Sequence, residues 1–140
     1  MRLSLPKTAA VVMAPAVACL LGAGPATAAD TARSQAHGTA TVTATRWTER
    51  ELPFSVLTTL VVKGELRNTG AECHSLWARF DGSGASAAKY ATQCGPGAAP
   101  FTLRSAPGLN PGATLFICRG EGTDDCGPHF SAREFPARLG

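Results

Sequence analysis

Cys73-His74-Ser75-Leu76-Trp77-Ala78-Arg79-Phe80 and Ala88-Lys89-Tyr90-Ala91-Thr92-Gln93-Cys94 decide the reading of this chain. Both are short, rich in β-formers and free of helical periodicity, and Asp81-Gly82-Ser83-Gly84 between them is a flexible link. As a hairpin they set Cys73 opposite Cys94, Ser75 opposite Thr92 and Trp77 opposite Tyr90. Four cysteines (Cys73, Cys94, Cys118, Cys126) permit three pairings, and the sequence does not choose among them. Register favours Cys73 with Cys94 and Cys118 with Cys126, the second turning around Gly122 and setting Arg119 opposite Asp125. Two local bridges would contribute about 2–3 kcal/mol each. That is a large share of a total of roughly 5–15 kcal/mol.

The same pattern extends in both directions. Thr39 to Thr45 alternates threonine with Ala40, Val42 and Ala44, and Trp47 precedes a charged turn, Glu49-Arg50-Glu51, closed by Pro53. A second strand runs from Val56 to Leu66, with Val56, Leu60, Val62 and Leu66 on one face and Lys63 and Glu65 on the other. Asn68-Thr69-Gly70 supplies turn chemistry. Beyond Cys94, Gly95-Pro96-Gly97 ends a strand, and Phe101 to Ser105 forms another. Pro107 to Gly112 is a loop, Ala113 to Arg119 a strand, and His129 to Phe135 a further one. The expected fold is all-β: a small antiparallel, immunoglobulin-like β-sandwich of six or seven strands with two disulfides.

The N-terminus reads as an export signal over residues 1–29. Arg2 and Lys7 precede an apolar run from Ala9 to Leu21, and Ala26-Thr27-Ala28 provides small residues for cleavage. The run is short of the roughly 20 residues a membrane span needs, so no membrane-spanning segment is expected. Cys19 falls within the run behind the small residues Ala16-Val17-Ala18, but it lacks the large aliphatic residue three positions before it that a lipidated cysteine uses, and the run continues apolar through Leu20 and Leu21. Residues 30–38 are small and polar and read as a flexible tail, leaving a single disulfide-stabilised domain over 39–136. The expected localisation is secreted, in a compartment that permits disulfides. The whole chain carries a net charge of +3, of which Arg2 and Lys7 supply two charges. The rest is close to neutral with no basic cluster, which argues against nucleic acid as partner.

Candidate chemistry is sparse. His74 and His129 are the histidines that a hydrolase would use, and Gly-x-Ser-x-Gly is absent. Glu121, Asp124 and Asp125 share a tied loop but lack calcium-loop spacing, and no metal or other cofactor is called for. Trp47, Trp77, Arg79 and Tyr90 are the candidate binding patch. Alternation gives Trp77 two readings. It packs as core on a buried disulfide, the favoured one, or it lies outside with Arg79 and Tyr90 when Leu76 and Phe80 face in.

Thr45-Arg46-Trp47-Thr48, Leu66-Arg67-Asn68-Thr69-Gly70, Cys73, Trp77 and Thr92-Gln93-Cys94-Gly95-Pro96-Gly97 together resemble the uncharacterised small secreted four-cysteine proteins of actinobacteria. That resemblance covers about residues 40–126 and implies no activity. Enediyne apoproteins and subtilisin inhibitors share the size and the two disulfides but not the cysteine spacing. The function expected is a secreted, non-enzymatic binding module for an extracellular protein, glycan or small molecule. The alternatives are a hydrolase using His74 or His129, or a proteinase inhibitor presenting a disulfide-tied loop near Arg119.

Overall fold

The computed structural model describes residues 34–138; residues 1–29, read above as an export signal, with Cys19 among them, and residues 30–33 lie outside the described residues. The described residues form nine strands: β1 (Gln35–His37), β2 (Ala40–Glu49), β3 (Thr59–Asn68), β4 (Cys73–Phe80), β5 (Ala88–Cys94), β6 (Gly97–Arg104), β7 (Ala113–Arg119), β8 (Asp125–Cys126) and β9 (Phe130–Ser131). A single 3-10 turn, Ala132–Glu134, follows. One antiparallel sheet has the order β1-β2-β3-β6; the other has β5-β4-β7-β8, with β9 also pairing β7. Apart from β1, this is the A-B-E against C′-C-F-G arrangement of immunoglobulin-like sandwiches.

Alternation explains the core. Ala40, Val42 and Ala44 of β2, Leu60, Val62 and Leu66 of β3, Leu76 and Ala78 of β4, and Leu115 and Ile117 of β7 fill the space between the sheets. Phe130 and Phe135 close it with an edge-to-face contact at 5.8 Å. Val61, apolar on the face that carries Lys63 and Glu65, is also buried, on the outer face opposite Trp47. Gly64 has a steric cause: a methyl there would run into the Thr43 carbonyl oxygen and Ala44.

The bounds read from sequence hold for β4, β5 and β7. Both favoured disulfides are present, Cys73–Cys94 and Cys118–Cys126, each with Cα atoms 3.9 Å apart. Each joins neighbouring strands of the same sheet, β4 to β5 and β7 to β8, unlike the inter-sheet bridge of antibody domains. Arg119 does face Asp125.

Four expectations are corrected. The tail read over 30–38 includes β1, whose Gln35–His37 pair with Val42–Ala40; edge pairing, not propensity, makes that strand. Val56 belongs to a loop, because β3 begins at Thr59. The last strand is two residues long, and a capping box built by Ser131 and Glu134 starts the 3-10 turn instead. The Trp77–Tyr90 pair does not form. A bulge between Leu76 and Trp77 pairs Leu76 with Ala91 and Trp77 with Lys89, leaving Tyr90 as the extra residue.

The sandwich therefore has two distinct poles. At one lie the β1–β2 turn, the β3–β4 and β5–β6 turns and both disulfides. At the other lie the β2–β3, β4–β5 and β6–β7 loops.

Candidate functional site

The loop pole carries the exposed apolar side chains. Phe54 is 97% exposed, Val56 74% and Leu52 67% on the β2–β3 loop, and Leu109 is 77% exposed on the β6–β7 loop. Large apolar groups held in water on adjoining loops make this pole the candidate site.

These loops are fixed. Thr58 and Gly108 exchange both backbone hydrogen bonds at 2.9 Å, which clips the β2–β3 loop to the β6–β7 loop. The Ser55 backbone N–H donates to the Leu52 carbonyl at 3.1 Å, and the Leu57 N–H donates to Ser55 Oγ at 3.1 Å. The Leu60 N–H donates to Ser105 Oγ at 2.9 Å, and Arg133 Nη2 donates to Asn110 Oδ1 at 2.8 Å. On the β4–β5 side the Asp81 N–H donates to the Gly112 carbonyl at 3.0 Å, and Thr114 Oγ1 donates to Asp81 Oδ1 at 3.2 Å. Between the β4–β5 and β6–β7 loops is a cleft of about 340 Å³, lined by Phe80, Asp81, Ser83, Pro107, Leu109 and Pro111 among others. Its volume falls at the small end of ligand pockets.

The residues singled out from sequence do not gather there. Trp47 is half-buried on the outer face of the β1-β2-β3-β6 sheet, where its Nε1 donates to Glu49 Oε1 at 2.8 Å and Arg138 lies 5.1 Å over its ring. Glu49 is also bound by Arg104 Nη2 at 2.6 Å, and these hydrogen bonds, Arg104 first, hold its carboxyl below the ordinary range.

Trp77 lies on the outer face of the other sheet. The favoured core reading is corrected: Leu76 is fully buried between the sheets, so alternation sends Trp77 out, with Arg79 exposed on the same face. Trp77 Nε1 donates to Ser75 Oγ at 2.9 Å, and Lys89 Nζ sits 5.9 Å over the ring. Tyr90 packs against the core with its ring edge-on to Phe80 at 6.4 Å. The proposed four-residue patch is thus split between two faces and the interior.

His129 stacks on Phe116 at 4.4 Å. His74 is buried at the disulfide pole. Neither of its ring nitrogens has a partner at hydrogen-bonding geometry among the described residues, so nothing there orients it as a base toward a hydroxyl. Arg119 is held in β7, with its Nε 3.2 Å from Glu72 and 3.7 Å from Asp125, and does not project from a loop. Glu121, Asp124 and Asp125 do not converge; among the described residues no group of three such ligands assembles.

Of Leu52, Phe54 and Val56, only Val56 is drawn into a strand by the sequence pattern; Leu52 and Phe54 stand on either side of Pro53 with no role assigned to them. The available signal was Pro53, which interrupts a strand and leaves those side chains without a sheet to bury them. No protein-family model, curated protein or solved structure matches this chain.

Proposed function

We propose that the chain is a secreted, non-enzymatic binding module that receives its partner on the loop pole. One observation carries this reading: Leu52, Phe54, Val56 and Leu109 stand in water on loops fixed to each other through Thr58 and Gly108. Exposed apolar groups on a disordered segment would cost ordering entropy on binding; here the loops are already tied. The partner surface that suits them is apolar and protein-like, and the adjoining cleft is wide enough to take one side chain from it. The signal-like residues 1–29 and the two disulfides support an extracellular setting.

The test is a capture experiment from the producer's own culture fluid, using the oxidised chain as bait. The wild-type chain retains a partner, Phe54→Ser with Leu109→Ser loses it, and Trp77→Ser with Arg79→Ser keeps it. Equal capture by the loop variant and the wild type would overturn the assignment.

A further inference from the structure

His74 is 1% exposed, and neither of its buried ring nitrogens has a partner at full hydrogen-bonding geometry among the described residues, the Glu72 backbone making only a weaker approach. A buried polar group left unsatisfied is destabilising and calls for an explanation. Its surroundings supply one. The β1–β2 turn covers the ring: a Cβ placed on Gly38 would lie 3.2 Å from His74 Nε2 and 3.5 Å from Arg119 Nη2. Gly38 also has φ of +58°, so the turn is built to lie there without a side chain.

The cover is slight. β1 has three residues and, among the described strands, pairs with β2 alone. It is otherwise held by Gln35 Nε2, which donates to Glu134 Oε2 at 2.9 Å, and by His37, whose Nε2 lies 3.4 Å from Asp125 Oδ1. The turn that follows is tied at Thr39, whose Oγ1 donates to Asn68 Oδ1 at 2.7 Å and whose carbonyl accepts the Thr69 N–H at 3.1 Å. The titratable groups acting on His74 are Arg119 from β7, His37 from β1 and Glu72 from the β3–β4 turn, with Asp125 of β8 beside His37 and Arg119. Glu72 and Asp125 are already engaged by Arg119.

We propose that His74 is an acid-operated latch: with β1 and Gly38 in place the imidazole has to stay neutral, and its protonation lifts the β1–β2 turn off the pole. Burial, followed by the neighbouring Arg119 and His37, lowers the affinity of His74 for a proton, with the carboxylate and backbone of Glu72 opposing. Opening the turn returns the ring to water and to its ordinary value near about 6.5. Below that pH the open form binds a proton that the closed form does not, so acid favours opening. The ratio of open to closed rises about tenfold from pH 7.5 to 5.5 as long as the closed form stays unprotonated. Asp125 Oδ1, 3.4 Å from His37 Nε2, belongs to a carboxylate that is more than half exposed and shared with Arg119, so that contact is screened. Opening bares the outer edge of β2 at Ala40–Val42, a row of unpaired backbone groups available to another strand.

Hydrogen exchange tests the latch in the oxidised chain. Protection of Gln35–Thr41, corrected for the intrinsic pH dependence of exchange, falls about tenfold between pH 7.5 and 5.5, while β4 and β7 keep theirs. His74→Phe removes the response, and His37→Gln retains it. Unchanged protection in the wild type, or an equal response in His74→Phe, overturns the proposal. If His74→Phe does not fold, the imidazole titration of His74 in the wild type decides. Loss of the β1–β2 cross-strand contacts with the same midpoint sustains the latch, and titration with those contacts intact overturns it.

Discussion

Asn68 Oδ1 accepts a hydrogen bond from Thr39 Oγ1 at 2.7 Å, and the same oxygen accepts the Gly70 backbone N–H at 3.1 Å. Its Nδ2 donates to the carbonyls of Glu72, Gly95 and Gly70 at 2.6, 3.2 and 3.3 Å. One buried amide thereby joins three turns at the disulfide pole. Asn68→Leu removes five side-chain hydrogen bonds at once, at about 0.5–1.5 kcal/mol for a typical bond. It takes the amide donor from the part-buried carbonyls of Gly70, Glu72 and Gly95, the last two keeping only the Gly95 N–H and Gln93 Nε2, and the acceptor from Thr39 Oγ1 and the Gly70 N–H. The expected loss is roughly 2–4 kcal/mol, read from urea unfolding. A shift below about 0.5 kcal/mol, the scale of an ordinary surface change, would show that the hub is not structural.

The disulfides differ in span. Cys73–Cys94 separates its partners by 21 residues and Cys118–Cys126 by 8. Loop entropy makes each contribute about 3 kcal/mol, the longer exceeding the shorter by roughly 0.5–1 kcal/mol. Full reduction therefore removes about 6 kcal/mol, a large share of a stability of order 5–15 kcal/mol. Calorimetry in reductant is expected to show a greatly lowered or absent transition. An unaltered melting curve would refute that dependence.

At the loop pole the expected effect on stability is nil. Phe54→Ser changes a side chain that is 97% exposed, so unfolding free energy moves by less than about 0.5 kcal/mol. Partner capture falls all the same. A variant that melted much earlier would mean that Phe54 packs in the free protein.

Gly64 gives the opposite case. Gly64→Val places a branched side chain against the Thr43 carbonyl oxygen and Ala44, both on the neighbouring strand. Separating β2 from β3 to admit it costs at least about 1–3 kcal/mol, the usual penalty of overpacking. Thermal unfolding followed by circular dichroism reads this directly, and an unchanged midpoint would be incompatible with the contact.

Acid has a defined sign. The folded state holds His74 below its ordinary proton affinity, so the unfolded chain binds the extra proton. The corresponding stability is complete above about pH 6.5 and declines as the pH falls toward the folded-state value. Urea midpoints between pH 7.5 and 5.5 are expected to fall in the wild type more than in His74→Phe. Parallel curves would assign the acid sensitivity to other groups.

The two cysteine pairs and the strands β4, β5 and β7 were legible because alternation, turn residues and register agree in those segments. The bulge at Tyr90 was not, since no residue in Ala88–Cys94 announces an extra unit, and it moved Tyr90 off the face of Trp77. Nor was β1, because Gln35-Ala36-His37 has no strand propensity and exists as a strand only through the edge of β2. The candidate site divides the same way: Leu109 falls in the loop read from Pro107 to Gly112, whereas Val56 was drawn into a strand by its spacing from Leu60. One-dimensional spacing reports which residues repeat; it does not report where the pairing partner stops.

Both covalent cross-links occupy the pole opposite the three apolar and cleft-forming loops. Among the described residues, no cystine lies within Arg50–Thr58, Asp81–Ala87 or Ser105–Gly112, and the bridge that encloses the second of these, Cys73–Cys94, sits at the far end of its hairpin. Foreign segments grafted into those positions inherit a frame already stapled from behind, so this domain is a natural starting point for display libraries that diversify one end only.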